Sequence, residues 1–116
     1  MQTTLSKTEL AFLPATQIAK LIKDKTITSQ AITQLYLDRI EQYNPKLNAI
    51  VISLKTDAIK RAKAADKALE EGEDWGVLHG VPITVKESFN IKGYKTTVNF
   101  KQIKNHVALE LSLIHI

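Results

Sequence analysis

Leu78-His79-Gly80-Val81-Pro82-Ile83-Thr84-Val85-Lys86-Glu87 is the stretch around which the rest of the chain is best read. Val81, Ile83 and Val85 alternate with Pro82, Thr84 and Lys86, the period of an extended segment with one apolar face. The approach, Trp75-Gly76-Val77-Leu78-His79-Gly80, is rich in turn formers, and Gly72 lies just before it. The pattern predicts a short strand that leaves a tight turn and ends on a lysine. Beyond it, Ile91-Lys92-Gly93-Tyr94 reads as a turn, and Val107-Ala108-Leu109 as the opening of a helix.

Working back toward the N-terminus, the pattern is helical. Residues 1–13 are polar with a few apolar positions and no clear period, and read as a loose leader. Pro14 suits the start of a helix, where its missing N–H costs little. Ile18, Ala19, Leu21 and Ile22 then make an apolar stripe that Lys23, Asp24 and Lys25 close. Thr28 or Ser29 is the next expected N-cap. Ile32, Leu35, Tyr36, Arg39, Ile40 and Tyr43 follow at helical steps. Arg39 falls inside that stripe, so its stem should pack while its head reaches a carboxylate or a carbonyl. Asn44-Pro45 should end the helix, because the residue before proline avoids helical angles. Asn48-Ala49-Ile50-Val51-Ile52-Ser53 is β-branched and reads as a strand or extended linker. From Lys55 to Glu71, Ala58, Ala62, Ala65 and Leu69 share one helical face, and Gly72 supplies a stop. The fold class expected is α/β.

Composition narrows the function. The chain has 116 residues, 44% of them apolar, and a formal charge of +4. That length accommodates one domain or part of one. Lysines interleave with acids, as on solvated helix faces, which argues against direct nucleic-acid binding. Cysteine is absent. A disulfide framework, a cysteine nucleophile and thiolate zinc sites are therefore excluded. The first residues lack a signal-peptide apolar core, and no stretch has the length of a membrane span. A cytoplasmic protein is expected.

Lys86 is the residue with chemical promise. A lysine drawn into a low-dielectric cleft loses the solvation of its ammonium. The neutral amine can then accept a proton from a hydroxyl. On spacing alone, the same position better suits an edge-strand lysine that discourages sheet aggregation. His79, His106 and His115 lack metal-ligand spacing, and His79 reads as a turn residue packed near the strand. The glycines form no phosphate-cradling motif. Glu70, Glu71, Glu73 and Asp74 read as a solvated helix end, and Trp75 as an anchor for the loop.

The ordered set of fragments resembles the N-terminal part of the amidase signature family. Its carriers are the stretch from Leu78 to Glu87 and Gly93-Tyr94-Lys95-Thr96-Thr97. Thr28-Ser29, Asp38-Arg39-Ile40, Asn44-Pro45, Leu47-Asn48-Ala49 and Ala65-Asp66 agree with it. The likeness runs from about Pro14 to Glu110. It implies a mixed sheet covered by helices, with its first strands near Asn48–Ser53 and Ile83–Glu87. It also implies hydrolysis of a small-molecule amide through a Ser–cis-Ser–Lys triad, with Lys86 as the catalytic base and no metal or organic cofactor. Relatives that amidate charged transfer RNA share this chemistry, so the A component of such an amidotransferase is the alternative within the family. Glu87 departs from the family's usual Asp. The family's Gly/Ser-rich signature, which bears both serines, is missing. Neither Ser88 nor Ser112 has comparable surroundings.

The expected organisation is therefore a leader at 1–13, the N-terminal part of an amidase domain at 14–110, and a foreign tail at 111–116. Leu111-Ser112-Leu113-Ile114-His115-Ile116 is what CTG-TCT-CTT-ATA-CAC-ATC encodes, and this resembles a transposase-based sequencing adaptor. On this reading the gene continues, and the chain alone is inactive because the serines are absent. The competing reading is a non-catalytic helical interaction domain with a genuine stop after Ile116.

Overall fold

The structure is a computed structural model that describes residues 5–95 and residue 107. Four helices account for most of the described chain: α1 (Lys7–Ala11), α2 (Ala15–Lys23), α3 (Ser29–Leu47) and α4 (Lys55–Glu70). The chain divides into two compact units, one of Met1–Ile50 with Leu54–Pro82, the other of Val51–Ser53 with Ile83–Ile116.

All four helices lie in the first unit, and each begins or ends for a local reason. The segment expected to be a loose leader instead carries α1. Ser6 Oγ accepts from the Glu9 N–H at 3.2 Å, and Glu9 Oε2 accepts from the Ser6 N–H at 2.8 Å. This reciprocal capping box satisfies two otherwise orphaned donors, which explains how so short a helix forms. The Ser6 hydroxyl and N–H, both on the Glu9 carboxylate, hold that carboxyl below its ordinary value. Leu10 and Leu13 then pack against the core of the unit.

Helix α2 starts at Pro14, whose carbonyl accepts from Gln17 and Ile18 at 3.0 and 3.1 Å. It ends in a Schellman motif: Lys25 N–H bonds Ile22 O and Thr26 N–H bonds Leu21 O, both at 2.9 Å. Lys25 takes the left-handed position usually given to glycine, at φ 58°. Helix α4 closes in the same way, with Gly72 at φ 85° and the Glu73 N–H on Ala68 O at 2.8 Å. Thr28 caps α3, its Oγ1 accepting from Ala31 N–H at 3.0 Å.

Pro45 does not end α3; the helix runs on to Leu47 and is capped by Asn48 in the left-handed region at φ 48°. A proline in the last turn removes one ladder bond, and the Asn44 side chain offsets that loss. Its amide donates to Ile50 O and accepts from Ile50 N–H, both at 2.9 Å, folding the exit back on the helix end. Glu41 on α3 also pairs with Lys55 at the start of α4, pushing the Lys55 ammonium above its ordinary value.

The core is Ile18 and Ile22 from α2 with Ile32 from α3, flanked by Ile27, Leu35, Tyr36, Leu69 and Val81. Helix α3 packs on α4 and on α1. Besides Leu69, α4 contributes small side chains: Ala62, Ala65 and Ala68 are buried. Arg39 is half-buried as expected, but its head lies on aromatic faces rather than on a carboxylate. It is 5.3 Å from the Phe12 ring centroid and 5.1 Å from that of Tyr43. A guanidinium sheds less hydration on an aromatic face than an ammonium would, which makes this an acceptable end for a snorkelling stem.

The expected strands do not form as strands. Among the described residues, the only β pairing is an isolated antiparallel bridge between Lys95 and Val107 in the second unit. The backbone bends at 51–52 with no strand across 48–53, and residues 81–86 carry no ladder. Alternation specifies which side chains share a face; a strand also needs a neighbour to accept its backbone bonds. The described part is thus helical, and the α/β class is not met by a sheet here. The turn expected at Ile91–Tyr94 does form, closed by Tyr94 N–H on Ile91 O at 3.0 Å. Of the helix expected at 107–109, Val107 lies in the bridge, and the rest falls outside the described residues.

Candidate active site

The residues that carry the resemblance separate into two groups. The first builds a corner of unit one. Ser29, at the start of α3, is 1% exposed. Its Oγ donates to the Gly80 carbonyl at 2.5 Å. The Asp66 carboxylate, on α4, accepts from the Ser29 N–H at 2.7 Å and from the Gln30 N–H at 3.0 Å. Those are two of the N–H groups that a helix start leaves without intrahelical partners. A negative charge there also complements the positive end of the helix.

Gly80 has φ 75°, and a side-chain carbon there would stand 3.0 Å from Ser29 Cβ and 3.3 Å from Ile22 Cγ2. Both the backbone angle and the space demand glycine. His79 is 3% exposed and bridges the turn to α4. Its Nδ1 accepts the Trp75 N–H at 3.0 Å, and its Nε2 lies 2.7 Å from Ala65 O. A backbone N–H can only donate and a carbonyl can only accept, so the ring is the neutral tautomer with its hydrogen on Nε2. The turn role expected of His79 is therefore observed, with two backbone groups satisfied by one ring.

Trp75 anchors the loop as expected. Arg61 lies 4.1 Å over its ring, and Nε1 donates to Glu73 at 3.2 Å. The acidic helix end is exposed, but Asp74 is engaged: it pairs with Lys23 at 2.9 Å and accepts the Gly76 N–H at 2.8 Å. Those two bonds, the lysine's first, hold its carboxyl below the ordinary value.

The second group is the segment that bears Lys86, in the other unit. Lys86 is exposed, as are Ile83 and Thr84, while Val85 is half-buried. The Lys86 carbonyl accepts the Phe89 N–H at 3.0 Å, so the lysine opens a turn. Ser88 is half-buried in that turn. Ser112, His106 and His115 lie outside the described residues, as does the tail at 111–116. Among the described residues, no group of His, Cys, Asp or Glu is placed to hold a metal ion, and no helix is long and apolar enough to cross a membrane.

The sequence patterns do not single out the buried hydroxyl of Ser29. Its signals are present, a second small polar residue after the cap and a glycine in a turn, but pairing them across the chain requires the fold.

Residues 31–113 match the family model described as Amidase, and the chain belongs to that family. Its structure is similar to that of a bacterial aryl acylamidase of the amidase signature enzymes, with a TM-score of 0.80 and 29% identity, covering 87% of this chain and 21% of that one. Among sequence relatives is the A component of the glutamyl-tRNA(Gln) amidotransferase from Bdellovibrio bacteriovorus, 39% identical over 99 residues, covering 85% of this chain and 20% of the relative. The indoleacetamide hydrolase of Bradyrhizobium diazoefficiens is 37% identical over 94 residues, covering 81% and 18%. The chain thus spans about a fifth of the length of the curated relatives it matches.

Proposed function

We propose that this chain is the lysine-bearing N-terminal part of an amide-bond hydrolase, with Lys86 as its general base. The observation that carries the reading is the amidase match over residues 31–113, which includes the whole Gly80–Lys86 stretch. In this reading the neutral Lys86 amine takes a proton from a bridging serine. That serine takes one from the nucleophilic serine, whose oxygen attacks the carboxamide carbon. The amine of the leaving group departs with a proton, and water releases the acyl group. Both serines come from sequence beyond this chain, so the chain alone is inactive. Lys86 is exposed here. The desolvation that a lysine base requires must then be supplied by those same segments.

The similarity to the A components of amidotransferases supports a second reading, in which ammonia rather than water attacks the acyl group. The experiment expresses the full-length protein and assays a panel of simple carboxamides without partner proteins. Turnover that Lys86→Ala abolishes supports the hydrolase. Activity only with partner proteins and charged transfer RNA supports the amidotransferase. Lys86→Ala with near-normal turnover overturns the base assignment in either case.

A further inference from the structure

His79 is a titratable ring, 3% exposed, whose second proton the proposed chemistry does not use. Both of its nitrogens face backbone groups of fixed polarity. Nδ1 accepts the Trp75 N–H at 3.0 Å, and Nε2 donates to Ala65 O at 2.7 Å. A proton added at Nδ1 would meet the Trp75 N–H, donor against donor. A backbone N–H has no acceptor to offer in exchange. Charging the ring in place therefore breaks one bond and leaves a buried donor unpaired, which is costly. The ring is also a clasp. Ala65 belongs to α4, Trp75 and His79 to the loop that leaves it, and the Trp75 ring centroid lies 5.0 Å from that of His79. The His79 N–H closes the same loop on Gly76 O at 3.1 Å. All of these residues belong to the first unit.

We propose that His79 is an acid-released latch: protonation of its ring frees the loop Trp75–His79 from α4. The closed loop takes no proton at Nδ1 and the open loop does, so closure weakens as pH falls. The charged groups around the ring come from three elements. On α4, Arg61 lies 4.1 Å over the Trp75 ring that stacks on His79, and Asp66 spends its carboxylate on the Ser29 and Gln30 N–H groups. On the loop, Glu73 accepts from Trp75 Nε1, and Asp74 pairs with Lys23 of α2. Asp74 feels the His79 charge and is the group that favours a ring proton, but Lys23 and the Gly76 N–H already hold it. Its carboxyl lies below 3.8, so Asp74 keeps its charge across the range in which a histidine titrates. Histidine and carboxylate are therefore separable by pH. The latch is independent of the role assigned to Lys86.

The test is amide hydrogen exchange on the full-length protein at pH 7.5 and 5.5, corrected for the intrinsic pH dependence of exchange and read on peptides from residues 73–80 and from α3. An imidazole freed into water titrates at a pKa of about 6.5, so the open loop should gain about tenfold in population between the two conditions. Protection at 73–80 should fall by about that factor while protection in α3 stays within about twofold. His79→Gln supplies the same acceptor and donor on an amide that does not titrate, and its loop should hold equal protection at both pH values. Asp74→Asn should keep the tenfold response. Unchanged protection at 73–80 in the parent protein would overturn the latch. So would an equal loss in α3, which would mean that acid loosens the whole unit. Loss of the response in Asp74→Asn would move the switch from the ring to the carboxylate and overturn it too. Should His79→Gln fail to accumulate, the parent's contrast between loop and α3, with the Asp74→Asn response, still decides.

Discussion

The corner formed by α2, α3, α4 and the Gly80 turn and the segment that carries Lys86 are built on opposite plans. In the corner, polar groups are matched within the unit: Asp66 with two N–H groups, Ser29 with Gly80, His79 with Trp75 and Ala65. In the Lys86 segment Ile83 is 74% exposed, and a turn at Lys86–Phe89 follows it. The lesson is a division of labour. The motif residues that look conspicuous in sequence, Thr28-Ser29, Ala65-Asp66 and His79-Gly80, build scaffold. The residue proposed for chemistry belongs to the other compact unit.

That contrast can be broken or sharpened by mutation. The largest effect is expected at Lys86. In the full-length enzyme, Lys86→Ala should lower turnover about a thousandfold, within the range for losing a positioned base, while thermal melting is unchanged. A melting temperature that falls with activity would mean that the lysine belongs to the scaffold.

The next largest effect belongs to the corner. Gly80→Ala forces a side chain into a left-handed backbone position and against Ser29 Cβ at 3.0 Å. It should cost about 3 kcal/mol, the sum of backbone strain and overpacking. Urea unfolding of the full-length protein, followed by circular dichroism, reads this directly. An unchanged midpoint would show that the turn is not held as described.

Asp66→Ala leaves the N–H groups of Ser29 and Gln30 without their acceptor. Because Ser29 is buried, the expected loss is about 2 kcal/mol in the same assay. The smallest effect is expected at the exposed rim. Asp74 is held below its ordinary value of 3.8 by Lys23 and the Gly76 N–H, so its bonds stabilise the fold above that pH and are lost as pH falls through the lower folded-state value. Asp74→Asn should therefore lower the melting temperature slightly at neutral pH, and the difference from the parent protein should narrow as the medium is acidified through the carboxyl's folded-state titration. A constant gap across that range would show that the carboxylate's charge is not what matters.

Much of the helical part is legible in the sequence. The stripe of Ile18, Ala19 and Ile22, the cap at Thr28, the alanine face of α4 and the stop at Gly72 are all local patterns, and local patterns survive folding. Helix α1 escapes such a reading because a capping box is a pair of polar residues, not a period. Pro45 defeats it because the preference before proline yields when the Asn44 side chain secures the exit. Strands at 48–53 and 81–86 are suggested by alternation, which carries no information about a pairing partner. Lys86 stands out by its place after the glycine turn, and its family role comes from the resemblance of the whole ordered set.

By itself, the amino-acid sequence determined where most helices start and stop, which faces turn inward, that these 116 residues hold no thiol, and that the chain belongs with the amidases. These depend on neighbours a few residues apart or on the order of motifs. Only the tertiary structure decided that Ser29 and Gly80 meet, that Asp66 caps α3 from α4, and that His79 is spent on two backbone groups. Most of those partners lie far apart along the chain. Their contacts are selected by the packing of α3 on α4, which burial drives and which no local pattern encodes.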